Sequence, residues 1–112
     1  MLLSELITED SIKIGLEAED REEVFEELMD LLVNINNNTS KREEFLSAIR
    51  KREEQGTTGI GKGIAIPHAK LNNISTNYGV LGIKREEIDY PSADKGPVHL
   101  IFLLIINYLA FD

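Results

Sequence analysis

Apolar positions change period several times along the chain, and each change marks an element. Ser4–Ile7 reads as a short helical turn. Ile12, Ile14 and Leu16 alternate with polar or small residues, which predicts a half-buried strand. From residue 20 the spacing becomes helical, with Val24, Phe25, Leu28, Leu31, Leu32 and Ile35 on one stripe. Asp20 followed by Glu23 is a capping-box pattern that starts this helix, and Asn36-Asn37-Asn38-Thr39 stops it. Ser40 and Glu43 repeat the capping pattern before a second helix. Its buried stripe is Phe45, Leu46 and Ile49, and Gln55-Gly56 ends it. A Gly-rich run, Gly56–Gly63, leads into a short apolar strand, Ile64-Ala65-Ile66, closed by Pro67-His68. Tyr78–Ile83 reads as another strand, Val98–Ile106 as a fully buried one, and Pro91–Pro97 as a loop. Helices interleaved with buried strands predict a layered α/β domain.

Composition narrows the class. At 112 residues, with 42% apolar and 29% charged side chains, the chain is long enough for one core and fits one domain. Zero Cys excludes disulfides, thiolate nucleophiles and Cys-based metal sites, and suits the cytosol. Two histidines 31 positions apart, without clustered acids, predict no metal site. The N-terminus shows no signal-peptide pattern, and the longest apolar run, Leu100–Ile106, has seven residues. Spanning a bilayer takes about 20, so no direct membrane insertion is expected.

The net charge of −8 argues against general nucleic-acid binding, and its placement matters more. Residues 17–30 hold eight acids against Arg21 alone, which predicts a strongly acidic, solvated helix face. Residues 41–70 hold seven bases against four acids, so that stretch can hold a small anion.

The chemistry concentrates in Arg52–Lys70. Gly56, Gly61 and Lys62 fit part of a nucleotide P-loop, but Gly63 stands where a Mg²⁺-binding Ser or Thr belongs. The run also follows a helix and opens a strand, the reverse of a P-loop or a dinucleotide fingerprint. His68 carries a better reading. An imidazole placed just after a strand and a Pro is rigidly presented, because Pro67 fixes its own φ and biases Ile66 to extended geometry. Its ordinary pKa of about 6.5 leaves most such rings neutral at cytosolic pH, hence nucleophilic toward phosphorus. Arg52 supplies a planar fork of donors for phosphoryl oxygens, and Gly-rich backbone lets amides come close. Thr57 and Thr58 are candidate hydroxyl donors to phosphate, and His99 reads as a structural strand-entry histidine.

The block Arg52-Glu53-Glu54-Gln55-Gly56-Thr57-Thr58-Gly59-Ile60-Gly61-Lys62-Gly63-Ile64-Ala65-Ile66-Pro67-His68 resembles the active-site block of the fructose/mannitol-type enzyme IIA domains (type 2) of the bacterial sugar phosphotransferase system. That family includes nitrogen-regulatory relatives, which implies as the alternative a regulatory protein-binding module that acts through its phosphorylation state or without catalysis. The resemblance runs from the N-terminal strand and helix through Gly96-Pro97-Val98-His99-Leu100-Ile101-Phe102. It implies a mixed β-sheet flanked by helices, a cytoplasmic location and no cofactor. It further implies that His68 accepts a phosphoryl group from phospho-HPr, beside Arg52, and passes it to a IIB protein or domain. In the family the strand matching Leu100–Ile106 is followed by a Pro-Glu turn, a second active-site His and a C-terminal helix. Here the chain reads Ile106-Asn107-Tyr108-Leu109-Ala110-Phe111-Asp112, and His99 lies too early to be that second His. The expectation is therefore a single enzyme IIA domain over residues 1–112 that lacks the family's C-terminal segment, with a sheet face or edge left uncovered.

Overall fold

The computed structural model describes residues 3–108. Their order is α1 (Leu3–Leu6), β1 (Ile12–Ile14), α2 (Arg21–Ile35), α3 (Arg42–Glu53), β2 (Gly59–Gly61), β3 (Ile64–Ala65), β4 (His68–Leu71), β5 (Tyr78–Ile88) and β6 (Val98–Asn107). Six strands form one mixed sheet in the order β1-β5-β6-β3-β2, with β4 also paired to β6. The layered α/β architecture is the expected one. The part of the expected departure from the family pattern that falls on Leu109–Asp112 lies outside the described residues.

β6 organises the sheet. It runs antiparallel to β5, with Leu81 opposite Phe102 and Ile83 opposite Leu100. On its other side it is parallel to both β3 and β4. Ile64 faces Leu100 and His68 faces Leu104, so β3 and β4 keep one register and form a single strand interrupted at Ile66-Pro67.

Helices α2 and α3 cover one face of this sheet. Val24, Phe25, Leu28, Met29, Leu32 and Val33 from α2, and Phe45, Leu46 and Ile49 from α3, are buried against Val80, Ile101, Leu103 and Ile105. The approach is close at Gly82, where a Cβ would stand 2.8 Å from Leu16 Cδ1 and 2.9 Å from Leu28 Cδ2. Asp20 caps α2 as the sequence predicts, accepting the Glu23 amide at 2.9 Å, but the reciprocal half of the capping box differs: Glu23 accepts the Glu19 amide at 2.8 Å and not that of Asp20. The second cap differs. Thr39–Lys41 form a 3-10 turn, α3 begins at Arg42, and no side chain caps it. Glu43 instead pairs with Arg42 at 2.8 Å.

One further expectation changes. Leu16 is buried, but Ile12 and Ile14 are 37% and 78% exposed. Gly15, at φ +81°, breaks the alternation, and the amides of Gly15 and Leu16 both donate to the Ile83 carbonyl. Two backbone amides on one acceptor make a bulge, which turns Leu16 to the helix side. Ile12 and Ile14 stay beside Leu81 and Ile83 on the opposite face. α1 touches that face near Gly79, where a Cβ would meet Leu6 and Ile7.

The acidic face of α2 is exposed as expected, apart from the half-buried Glu27, and some of its acids are also paired. Asp30 pairs with Arg42 and Glu22 with Arg50, so two of its acids tie α2 to α3. Glu27 accepts the Glu17 amide at 3.1 Å and the Ala18 amide at 2.9 Å, and pairs with Lys13 at 2.8 Å. Desolvation pushes the Glu27 carboxyl up, but Lys13 and these amides outweigh it and hold its pKa below the ordinary carboxylate value.

Two stability tests follow from the packing. Gly82→Ala should cost about 1–3 kcal/mol by overpacking, read from urea denaturation. A carboxyl with a lowered folded-state pKa stabilises above its unfolded value and loses that contribution as pH falls through the folded one. Glu27→Gln should therefore destabilise by about 1–2 kcal/mol at pH 7, and the gap to wild type should shrink toward pH 3.

Candidate functional site

Pro67 sets the site. It has no amide to give to a ladder, so the strand beside β6 breaks there. Its carbonyl still accepts the Leu104 amide at 3.0 Å, and the Ile66 amide donates to the Thr58 carbonyl at 2.9 Å. The backbone on both sides of the break is thus anchored. The Ile66 carbonyl lies 2.9 Å from His68 Nδ1. A carbonyl only accepts, so in the neutral ring Nδ1 carries the proton and Nε2 keeps a free lone pair. His68, half-buried, lines a cavity of about 480 Å³ together with Ala48, Lys51, Arg52, Gln55, Ala69, Lys70 and Leu71.

Helix geometry explains one wall. Ala48, Lys51, Arg52 and Gln55 stand at positions i, i+3, i+4 and i+7, which is one side of α3 and the turn that follows it. Strand geometry explains the other, since Lys70 is two residues beyond His68 on β4. Lys51, Arg52 and Lys70 bring three positive charges to the cavity, and among the described residues no carboxylate lines it. Arg52 Nη1 donates to the Gly56 carbonyl at 2.8 Å, which leaves other donors of the guanidinium for a ligand. Such a cavity suits a phosphoryl group. A larger one, of about 920 Å³, is lined by Glu19, Glu86, Glu87 and Asp89 against Lys84 and Lys95, and this charge repels one.

The structure brings His68 and Arg52 together, sixteen positions apart in the chain, and leaves the two threonines outside. Thr57 donates its hydroxyl to the Pro91 carbonyl at 2.5 Å. Thr58 is buried, with its hydroxyl 2.7 Å from Glu53 Oε1 and 2.6 Å from the Tyr90 hydroxyl. Neither lines the His68 cavity. The Gly-rich run is likewise a packing device. A Cβ at Gly59 would fall 2.3 Å from the Pro91 carbonyl oxygen, and the Ala93 amide donates to Gly59 at 2.8 Å. At Lys62 the backbone adopts φ +57° and its amide donates to Asp94 at 2.9 Å. The segment 57–63 is thus bound to the loop 91–97 and does not cradle an anion. His99 Nδ1 sits 3.0 Å from the Lys84 carbonyl, away from the cavity.

Lys51, Gln55 and Lys70 were not singled out by the sequence reading, although helix and strand periodicity around Arg52 and His68 point to them. Nothing in the sequence pointed to the Ile66 carbonyl as the partner of Nδ1.

Known proteins share this sequence and this fold. The chain is 36% identical over 104 residues to the fructose-specific EIIABC component of the phosphotransferase system of Bacillus subtilis, covering 93% of this chain and 16% of that longer protein. It is 29% identical over 105 residues to the nitrogen regulatory protein of Bradyrhizobium diazoefficiens, covering 94% of this chain and 67% of that one. The crystal structure of the nitrogen regulatory protein IIA-Ntr from Neisseria meningitidis superposes at a TM-score of 0.84, with 28% identity, over 96% of this chain and 72% of that one. The fold is also shared, at a TM-score of 0.75 and 18% identity, by the mannitol IIA protein in a complex with phosphorylated IIB from Escherichia coli, over 92% of this chain and 73% of that one. Residues 5–108 match the family described as phosphoenolpyruvate-dependent sugar phosphotransferase system, EIIA 2, and the chain belongs to that family.

Proposed function

We propose that the protein is a phosphoryl carrier that uses His68 Nε2 as the acceptor. The observation that carries this reading is the hydrogen bond from His68 Nδ1 to the Ile66 carbonyl, facing a cationic cavity. In the first step the Nε2 lone pair attacks the phosphorus of phosphohistidine on HPr. An N–P bond forms at His68 as the donor's N–P bond breaks, and the donor ring takes back its electron pair. Nδ1 keeps its proton on the Ile66 carbonyl throughout, so no base is needed. Arg52, with Lys51 and Lys70 on the rim, stabilises charge on the three phosphoryl oxygens during transfer. In the second step a nucleophile on a IIB protein or domain takes the phosphoryl group, and the bonding electrons return to Nε2. The phosphorylated IIB partner of the Escherichia coli mannitol complex supports this choice of acceptor. The reading carries a cytoplasmic location with it, and no described helix is long and apolar enough to cross a membrane.

A second reading rests on the nitrogen regulatory relatives at 28% and 29% identity. In it, the phosphorylation state of His68 governs binding to another protein and no onward transfer to IIB occurs. The two readings share the first step and part at the second.

Incubation with phospho-HPr should give a phosphoprotein that is labile in acid and stable in base. His68→Ala should take up no label, and equal labelling of that variant overturns the assignment. Arg52→Ala should slow labelling by roughly 10²-fold, the usual scale for losing one such donor. Transfer from labelled protein to IIB distinguishes the carrier from the regulator. A pulldown with His68→Ala and His68→Asp recovers different partners only in the regulatory case.

A further inference from the structure

Glu53 takes no part in the chemistry above, yet among the described residues it is the one buried carboxylate, at 7% exposure. Two features make it unfavourable for stability. It ends α3, where the helix macrodipole already concentrates negative charge, and burial strips its hydration.

Its contacts show what the charge holds. Oε2 accepts the Thr58 amide at 3.0 Å, and Oε1 accepts the Thr58 hydroxyl at 2.7 Å. Arg21 Nη1 lies 3.6 Å from Oε2, and the Tyr90 hydroxyl 3.5 Å from Oε1. Burial pushes the Tyr90 phenol well above its ordinary pKa, so it stays a donor to this cluster. The Tyr90 ring is itself fixed edge-on against Phe25, at 6.1 Å between centroids.

The clamp closes a small ring of backbone. Glu53 grips Thr58 five residues on, and the Gly56 amide donates to the Glu53 carbonyl at 3.1 Å. Inside that ring sits the Gly56 carbonyl, which receives Arg52 Nη1 at 2.8 Å. Arg52 and Glu53 are adjacent on a helix and so diverge by about 100°. One side chain turns to the cavity and the other to the interior, and they meet again through the loop.

We propose that Glu53 is a positioning residue for phosphoryl transfer: its carboxylate, closed on Thr58, fixes the Gly56 carbonyl that aims the Arg52 guanidinium into the His68 cavity. The inference rests on the carrier reading. It predicts that Glu53 acts through Arg52 and has no effect of its own on the chemical step.

The test is a double-mutant cycle with phospho-HPr as donor. Glu53→Asp withdraws the carboxylate and should slow labelling by roughly 10-fold when Arg52 is present. In an Arg52→Ala background the same change should alter the rate by less than about two-fold. Equal losses in both backgrounds, or no loss in either, overturn the proposal. If Glu53→Asp fails to fold, Thr58 carries the same test. Thr58→Val should reproduce the coupled loss and Thr58→Ser should restore the rate, whereas equal rates for the two overturn it. A second readout needs no phosphorylation. Slowed rotation about the Arg52 Cζ–Nη1 bond, seen by NMR in the wild type, should be lost in Glu53→Asp or Thr58→Val. Unchanged rotation overturns the clamp. A wild type that takes no label but shows the slowed rotation, lost in the variants, sinks the carrier reading and leaves the clamp standing.

Discussion

One hydrogen bond organises this site, and one imino acid makes room for it. A strand that ran unbroken from Ile64 to Leu71 would commit its backbone groups to neighbouring strands. Pro67 interrupts it, and the Ile66 carbonyl is left to meet the imidazole two residues on. In the neutral ring that bond fixes the tautomer, and the tautomer decides which nitrogen keeps the lone pair. The flanking bonds from Leu104 and to Thr58 keep the break from becoming a flexible loop. The position of the His68 ring is thus set by the main chain around it.

The cavity wall is assembled differently. Its cations come from one side of α3 and from β4, so their spacing depends on how that helix sits on the sheet. The same packing surface, through Phe45, Leu46 and Ile49, supplies much of the core. Ion pairs from α2 to Arg42 and Arg50 occupy other bases of this region, leaving Lys51 and Arg52 on the cavity. The acidic surface of α2 and the basic cavity are separated by pairing within the protein, with no partner needed.

Much of this was legible in the chain. The α2 stripe and its Asp20 cap, the buried β6 and the break at Pro67 follow from period and stereochemistry alone. The contiguous block ending in Ala65-Ile66-Pro67-His68 led to the candidate acceptor and to Arg52. What failed did so for local reasons. Gly15 allowed a bulge that reversed the side on which Leu16 lies, and alternation counting has no means to see one. Ser40 had the composition of a cap, but a 3-10 turn moved the helix start past it. Thr57 and Thr58 had the right chemistry for phosphate. Their hydroxyls were claimed by Pro91, Glu53 and Tyr90, two of them more than thirty positions away, where no local pattern reports them.

The common register of β3 and β4 against β6 has a bearing on how such a chain varies over time. Substitutions at many positions near His68 leave the strand alignment intact. Gain or loss of a single residue between Ala65 and His68 does not, because adjacent side chains on a strand point to opposite faces. The imidazole would then project from the other side of the sheet. A change of length in this stretch therefore disturbs the site more than an exchange of side chains does.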